Sequence, residues 1–312
     1  MKNCYSQIEQ IELLGFRRLA RLKKLWLLIV LLLIIGILIL SYSYYPKPDE
    51  NGVNVCLHLS DWDCSTISYL TDLRVSWVRT DWEITPNNSM RDYSQSLKDS
   101  DINLLTIIDV NTFVNQNFTL EEWNENITAI VNSDGFANVD AVEVWNEPNA
   151  GAYIPPETYY EMLKSAYAII KNYKAIPVVF AGVSPNVPSW QSYLNAVFAY
   201  NDTENYFDYM GIHFYDDMET NLYILQFVKN LTDKPIWLTE TGKPSLSNDE
   251  TAQAEYISSV YETFKSLVDK IFIYELYDNE GLVPPKENYF GLLTMEGTEK
   301  EAYWTVCDIN RK

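Results

Sequence analysis

The sequence predicts an α/β protein, a (β/α)8 TIM barrel preceded by a single N-terminal transmembrane helix. Three observations predict it: a long uncharged segment near the N-terminus, an alternation of eight strand-like runs with helix-compatible segments, and polar residues gathered where those runs end. The chain has 312 residues, of which 47% are hydrophobic, so it holds enough apolar material for a full-sized core.

Residues 25–45 are the predicted transmembrane helix. Their 21 residues, of which 25–40 carry no charge, are long enough to cross a bilayer, which needs about 20 residues. The preceding segment 1–24 contains two acids, Glu9 and Glu12, against the bases Lys2, Arg17, Arg18, Arg21, Lys23 and Lys24. The positive-inside rule therefore predicts a cytoplasmic segment 1–24, a linker at 46–52, and an extracellular domain at 53–312.

The alternative to this anchor is a cleaved signal peptide, which would leave the rest of the chain secreted. The apolar run is longer than a usual signal core, and no A-x-A-like cleavage site follows it. We therefore expect a single-pass protein of the cell membrane.

The charge of the chain limits its partners. The net charge is −20 at pH 7, although residues 1–24 are basic, so the exterior domain is more acidic still. Such a surface excludes nucleic acid as a partner. The sequence shows no metal-ligand spacing and has only two histidines, so we expect no metal or organic cofactor. Cys56 and Cys64 could form a disulfide or remain buried thiols.

Eight Val- and Ile-rich runs are the predicted strands. They cover 53–59, 75–79, 102–109, 139–145, 176–182, 208–214, 235–239 and 270–277. Residues 157–173 and 251–268 carry apolar residues at helical spacing. Strands that alternate with helices indicate a parallel sheet, and eight repeats at this length favour a closed barrel. An open doubly wound sheet is the alternative, but no Gly-rich phosphate loop supports it.

Polar side chains follow the predicted strands at the end where barrel enzymes hold their active sites. They are His58, Asp61, Arg79, Asp81, Trp82, Asp109, Asn111, Asn146, Glu147, Ser184, Asn186, His213, Tyr215, Glu240, Glu275 and Tyr277. Both histidines of the chain are in this set, which is difficult to explain as solvated surface.

Glu147 and Glu240 stand out because they end strands 4 and 7. Hydrolysis of a glycosidic bond needs one carboxylic acid to protonate the leaving oxygen and a second carboxylate to attack the sugar or to activate water. A barrel can bring both strand ends to one mouth. His213 and Tyr215 share strand parity, so both should face the same side, and either could hydrogen-bond Glu240.

The segments "VWNEPN" and "IWLTETG" resemble those of clan A glycoside hydrolases, which are retaining (β/α)8 enzymes. "VRTDW", "FDYMGIHFY" and "YFGLLTMEGTEKEAYWTV" resemble further segments of that clan, and residues 142–215 are most similar to families 39 and 5. The resemblance covers about residues 53 to 306. It implies a glycoside hydrolase catalytic domain at 53–312.

The resemblance also implies roles for individual residues. Glu147 would be the acid/base and Glu240 the nucleophile, and Asn146 would hydrogen-bond the sugar 2-hydroxyl. Tyr215, His213 and Arg79 would orient the nucleophile. Many clan members carry a sugar-stacking Trp late in strand 8, whereas this strand reads "FIYELYDNE", with Glu275 and Tyr277 instead.

Other aromatic and histidine residues are candidate substrate contacts. We expect Trp82, Tyr277 and His58 to contact the sugar, and Trp190 could stack on it as well. Trp77 and Trp237 lie inside strands and are expected to pack against helices. Asp81, Asp109 and Glu275 could be structural hydrogen-bond partners or sugar ligands.

The sequence therefore predicts a membrane-anchored retaining β-glycosidase that hydrolyses O-glycosidic bonds of an extracellular polysaccharide or glycan. A transglycosylase would use the same covalent intermediate and differ only in whether sugar or water resolves it. A catalytically silent carbohydrate-binding protein on the same barrel would not need both glutamates.

Overall fold

A computed structural model of the chain describes residues 52–82, 89–109, 118–246, 249–281 and 284–312. The predicted transmembrane span 25–45 lies outside these residues. Within the described ranges, none of the helices has the length and apolar character needed to span a membrane.

Eight parallel strands form a closed barrel in chain order. They are β1 (Val53–Cys56), β2 (Trp77–Asp81), β3 (Asn103–Ile108), β4 (Ala141–Val144), β5 (Val178–Phe180), β6 (Tyr209–Phe214), β7 (Ile236–Thr241) and β8 (Lys270–Ile273). The barrel closes where β1 pairs with β8, with Val53 opposite Ile271. The predicted (β/α)8 barrel is confirmed. Strand β8 is shorter than predicted, and both Glu275 and Tyr277 lie beyond its end.

Helices surround the barrel on its outer side. They are α1 (Thr66–Asp72), α2 (Ser89–Asp99), α3 (Leu120–Val131), α4 (Pro156–Tyr173), α5 (Trp190–Phe198), α6 (Met218–Lys229), α7 (Glu250–Phe264) and α8 (Glu301–Ile309). Local sequence sets their starts. Thr119 and Glu122 form a capping box at α3, and α4 begins at a proline, whose missing N–H costs nothing at that position. Asn310, just after α8, hydrogen-bonds both backbone groups of Val53 and so ties the C-terminus to β1.

The barrel has an apolar interior distinct from the larger core between strands and helices. Its six buried members are Cys56, Leu105, Ala141, Val179, Trp237 and Phe272. Trp77 packs against this group, with its ring centroid 5.3 Å from that of Trp237. The expectation that Trp77 and Trp237 pack against helices is therefore wrong. Trp77 shares strand parity with Arg79, and both side chains point into the barrel.

The three cysteines of the described residues are free thiols. Cys56 and Cys307 are buried, and Cys64 is exposed. Cys56 and Cys64 are therefore unpaired thiols and do not form the possible disulfide with each other.

Candidate active site

A cleft of about 960 Å³ opens at the carboxyl ends of the barrel strands. Its volume lies within the usual range of ligand sites. Of the predicted strand-end residues, nine line this cleft: His58, Arg79, Asp81, Asn146, Glu147, Ser184, Asn186, Tyr215 and Glu240. Asn111 lies outside the described residues.

Glu147 follows β4 on a tightly turned segment. The residues Trp145 and Glu147 adopt positive φ angles of 76° and 44°, a conformation that side-chain-bearing residues seldom take. The Glu147 N–H donates to the Gly182 carbonyl across 3.0 Å, which fixes this turn against the end of β5. The Glu147 side chain is 28% exposed and faces the cleft. Backbone conformations of this strained kind, held in place by the surrounding structure, cluster at functional sites.

Glu240 lies at the end of β7 with both carboxylate oxygens engaged. Oε1 accepts from Arg79 Nη1 and Oε2 from the Tyr215 hydroxyl, each at 2.6 Å. Trp237 and Glu240 are three residues apart, so simple alternation would send them to opposite faces. The pairing register between β7 and β8 shifts between Leu238 and Thr241, and the side chains of Trp237 and Glu240 both point inward.

Arg79 links the end of β4 to the end of β7 through its hydrogen bonds. Its Nη2 donates to Asn146 Oδ1 at 2.9 Å, and its Nε donates to Glu143 Oε2 at 2.6 Å. Burial alone would lower the pKa of Arg79, but the Glu143 and Glu240 carboxylates raise it well above its usual value. Arg79 is therefore a fixed positive charge beside Glu240.

The sequence analysis missed Glu143, although a signal was present. Glu143 is a fully buried carboxylate in the middle of an apolar strand, and such a group requires a partner. Its other oxygen accepts from the Gly182 N–H at 3.1 Å.

His213 sits between the two candidate carboxylates. Its Nδ1 is 3.1 Å from Glu147 Oε1 and 3.5 Å from Glu240 Oε2, and the ring is fully buried. Burial alone would lower the pKa of His213, but the nearby Glu240 and Glu147 raise it. A positive charge on His213 favours the ionised form of Glu240.

The environment of Glu240 strongly favours its ionised form. Burial alone would raise the pKa of Glu240, yet the charges of His213 and Arg79, with the hydrogen bonds from Tyr215 and Arg79, lower it to about 2. An ionised carboxylate at this position can act as a nucleophile at any ordinary pH.

Glu147, His213 and Glu240 each offer one ligand atom within 4.8 Å of the others, a grouping that could hold a metal ion. The Arg79 guanidinium already lies 2.6 Å from the Glu240 carboxylate, and a metal ion bound to Glu240 would be repelled by this positive charge. The donor set therefore fits two-carboxylate chemistry better than a metal centre.

A second polar cluster lies on the β1, β2 and β8 side of the cleft. The ring nitrogens of His58 are both 3.2 Å from carboxylates, Nδ1 from Asp81 Oδ2 and Nε2 from Glu275 Oε2. Burial alone would lower the pKa of His58, but hydrogen bonds to Asp81 and Glu275 raise it well above its usual value. Nε2 also lies 3.3 Å from the Tyr274 hydroxyl.

The structure does not bring every predicted substrate contact into the cleft. Trp82 is 5% exposed and packs on Phe136, and Tyr277 is 7% exposed with its hydroxyl on Thr66. Neither side chain lines the cleft, and Trp190 does not line it either. Tyr274 and Phe290 do line it. Tyr274 was not predicted because the predicted strand 8 ran past Ile273 to Tyr277, and Phe290 lies outside all the predicted strands.

This barrel, with two facing glutamates at the ends of β4 and β7, is that of a glycoside hydrolase. Residues 61–287 match the family model described as glycosyl hydrolase catalytic core, and the chain belongs to this family. No curated protein sequence matches the chain.

Solved structures share the fold. A family 39 glycoside hydrolase from the gut symbiont Bacteroides cellulosilyticus superposes with a TM-score of 0.67 at 18% identity over 85% of this chain. This chain spans 65% of the length of that enzyme. A GH5_18 enzyme from Bifidobacterium longum, in complex with Manβ1-4GlcNAc, gives 0.61 at 13% identity over 83% of this chain and 77% of its own. A β-glycosidase, BGL167, gives 0.60 at 13% identity over 86% and 97%.

Proposed function

We propose that the protein is a retaining β-glycosidase that hydrolyses a polysaccharide or glycan outside the cell by double displacement. The observation that carries this proposal is the separation of Glu147 and Glu240, which bring carboxylate oxygens within 4.8 Å of each other. Retaining enzymes hold their carboxyl groups about 5–5.5 Å apart, whereas inverting enzymes need about 6.5–9.5 Å to admit a water molecule.

In the first step Glu240 attacks the anomeric carbon while Glu147 donates a proton to the departing glycosidic oxygen. The product is a covalent glycosyl-enzyme and a free alcohol. In the second step Glu147, now a carboxylate, takes a proton from water, and the resulting hydroxide releases the sugar from Glu240. Each displacement inverts the anomeric carbon, so the two together retain its configuration.

The surrounding residues support these roles. Arg79 and Tyr215 hold both oxygens of Glu240, which fixes the direction of its attack. Arg79 takes the Asn146 Oδ1, which leaves the Asn146 amide N–H groups to donate to a sugar hydroxyl. Arg79 acts through Glu240 and Asn146, and Glu143 acts through Arg79, so both are positioning residues.

Azide tests the two roles separately, on the full chain with a panel of aryl β-glycosides that carry a good leaving group. We expect Glu240→Ala to lose turnover and to recover it with azide as a glycosyl azide of inverted configuration. Glu147→Ala should lose about 10²–10⁴-fold and recover with azide as a product of retained configuration. Glu125→Ala, on the exposed face of α3, is the matched control and should keep wild-type activity.

Other outcomes would contradict the assignment or favour one of its alternatives. Full activity in either variant, or the opposite product configurations, would contradict the assignment. Glycan binding without turnover in the wild type would favour a silent binding protein. Transfer of sugar to an added acceptor in preference to water would favour a transglycosylase.

A further inference from the structure

Three of the four basic residues that line the cleft, Arg79, His58 and Lys286, lie close to carboxylates of the chain. Arg79 is 2% exposed and pairs with both Glu143 and Glu240. His58 lies between Asp81 and Glu275, and Lys286 Nζ lies 3.8 Å from Glu287. Arg79 and His58 would each have to give up an existing partner in order to bind a carboxylate of the substrate, and Lys286 already shares its charge with Glu287.

Lys243 is the exception among the described cleft residues, since it has no ion pair with another described residue, and it is exposed. Residues 83–88, 110–117, 247–248 and 282–283 contain no Lys or Arg.

Acidic groups dominate the rest of the cleft. Beyond the catalytic pair, it is lined by Asp81, Asp216, Asp217, Glu255 and Glu287. A negatively charged sugar entering this cleft would lose water while facing carboxylates of like charge. Desolvating a charge without a partner is costly, and like charges add to that cost.

Asp81 is the acid best placed to recognise an uncharged sugar. Its side chain is 11% exposed, it lines the cleft, and Oδ2 is held by His58 at 3.2 Å. A carboxylate has about four acceptor positions, so Asp81 keeps acceptor capacity for hydroxyl donors. Charge-assisted hydrogen bonds of this kind are about twice as strong as neutral ones.

We propose that the cleft selects uncharged sugars over uronic-acid and sulfated sugars, and that Asp81, positioned by His58 and Glu275, accepts hydrogen bonds from the hydroxyls of the bound sugar. This inference rests on the proposed glycosidase activity. It adds the class of substrate and a specificity-determining residue.

The first experiment compares aryl β-glycosides that differ only at C6, glucoside with glucuronide and galactoside with galacturonide, at pH 6. We expect kcat/KM to be at least about 100-fold higher for the neutral member of the better pair, equivalent to about 2.7 kcal/mol. Equal values, or a preference for the uronide, would overturn the charge selection while leaving the glycosidase in place.

A binding experiment separates this inference from a failure of the activity. Affinity electrophoresis of the full-length Glu147→Gln variant in detergent, in gels that contain neutral β-glucan, β-mannan or a polyuronate, needs no turnover. Retardation by a neutral polysaccharide alone supports the inference. Retardation by the polyuronate, or by none of the three, would overturn it.

The second experiment concerns Asp81. Asp81→Asn should lower kcat/KM at least about 10-fold for the intact neutral substrate, but less for the deoxy analogue that lacks the bound hydroxyl. It should also raise the ratio of uronide to neutral activity. Asp134→Asn, exposed and 3.6 Å from Arg91, is the control and should change neither ratio. Equal losses on all substrates would reduce Asp81 to a structural residue.

Discussion

At the scale of single residues, Tyr215 adds to the effect of His213 and Arg79 on the ionisation of the proposed nucleophile. Its hydroxyl donates to Glu240 Oε2, and this bond is one of the causes that lower the pKa of Glu240 to about 2. Because the ionised form attacks the sugar, kcat/KM should persist into strongly acidic solution and fall only as the pH approaches 2. A group with a depressed pKa also contributes folding stability above its unfolded value of about 4.5, and that contribution is lost as the pH falls toward 2.

Tyr215→Phe removes the donor and should raise the pKa of Glu240. A hydrogen bond to a charged group contributes about 1.5–3 kcal/mol, so the acid limb of kcat/KM should move up by about one to two pH units. The measurement is kcat/KM from pH 1.5 to 7. Tyr153→Phe removes the hydroxyl of an exposed tyrosine and is the control. An unmoved acid limb in Tyr215→Phe would mean that Arg79 and His213 alone hold Glu240 ionised.

At the scale of elements, Gly182 allows three strands to converge on the site. Its N–H donates to Glu143 and its carbonyl accepts from the Glu147 N–H. A Cβ at this position would lie 2.2 Å from the His213 ring and 2.9 Å from Thr239 Oγ1. The His213 ring is fully buried and has no room to retreat, so only glycine lets β5 pass this close to β6 and β7.

Gly182→Ala should therefore damage both the fold and the site. Overpacking of this kind costs about 1–3 kcal/mol of unfolding free energy, and a displaced His213 should lower kcat far more than KM. Thermal unfolding and steady-state kinetics measure the two effects. Gly151→Ala is the matched control, because a Cβ there meets nothing within 4 Å. A Gly182→Ala enzyme with wild-type kcat would show that His213 does not need its observed position.

The irregular register of β7 marks the limit of prediction from strand alternation. Arg79 was predicted at the barrel mouth because it ends an apolar run, and the regular strand β2 puts it there. Simple alternation cannot place Trp237 and Glu240 on one face, and neither Gly nor Pro stands between them to signal an irregularity. The expectation that Trp237 packs against helices missed this irregularity, whereas the same expectation for Trp77 failed on a regular strand.

At the scale of the whole molecule, the barrel and the two glutamates were predictable because both depend on local pattern. Eight apolar runs set the fold, and the ends of those runs set the mouth. The pairing of Arg79 with Glu143 depends on closure of the barrel, which brings together side chains 64 residues apart. The orientation of Trp82 and Tyr277 depends on loops after strands, where no periodicity applies, and both side chains turned into the core.

The charge of the chain and its apolar segment make a prediction at this same scale. The full chain should fractionate with membranes and resist carbonate extraction, and protease added to intact cells should digest residues beyond 45 while sparing 1–24. Replacing Leu32 and Ile35 with arginine should abolish anchoring, since each charge at the centre of a span costs about 2.5–3.5 kcal/mol.

Mass spectrometry of the N-terminus distinguishes the anchor from a signal peptide. An anchored chain keeps peptides from residues 1–24, whereas a cleaved one loses them and appears in the medium. A soluble chain inside the cell with an intact N-terminus would contradict both. The acidic barrel is compatible with either exported form, because a surplus of carboxylates keeps a protein soluble. If residues 1–24 are retained, the enzyme stays with its cell. If they are cleaved off, it acts at a distance on the glycan that the cleft selects.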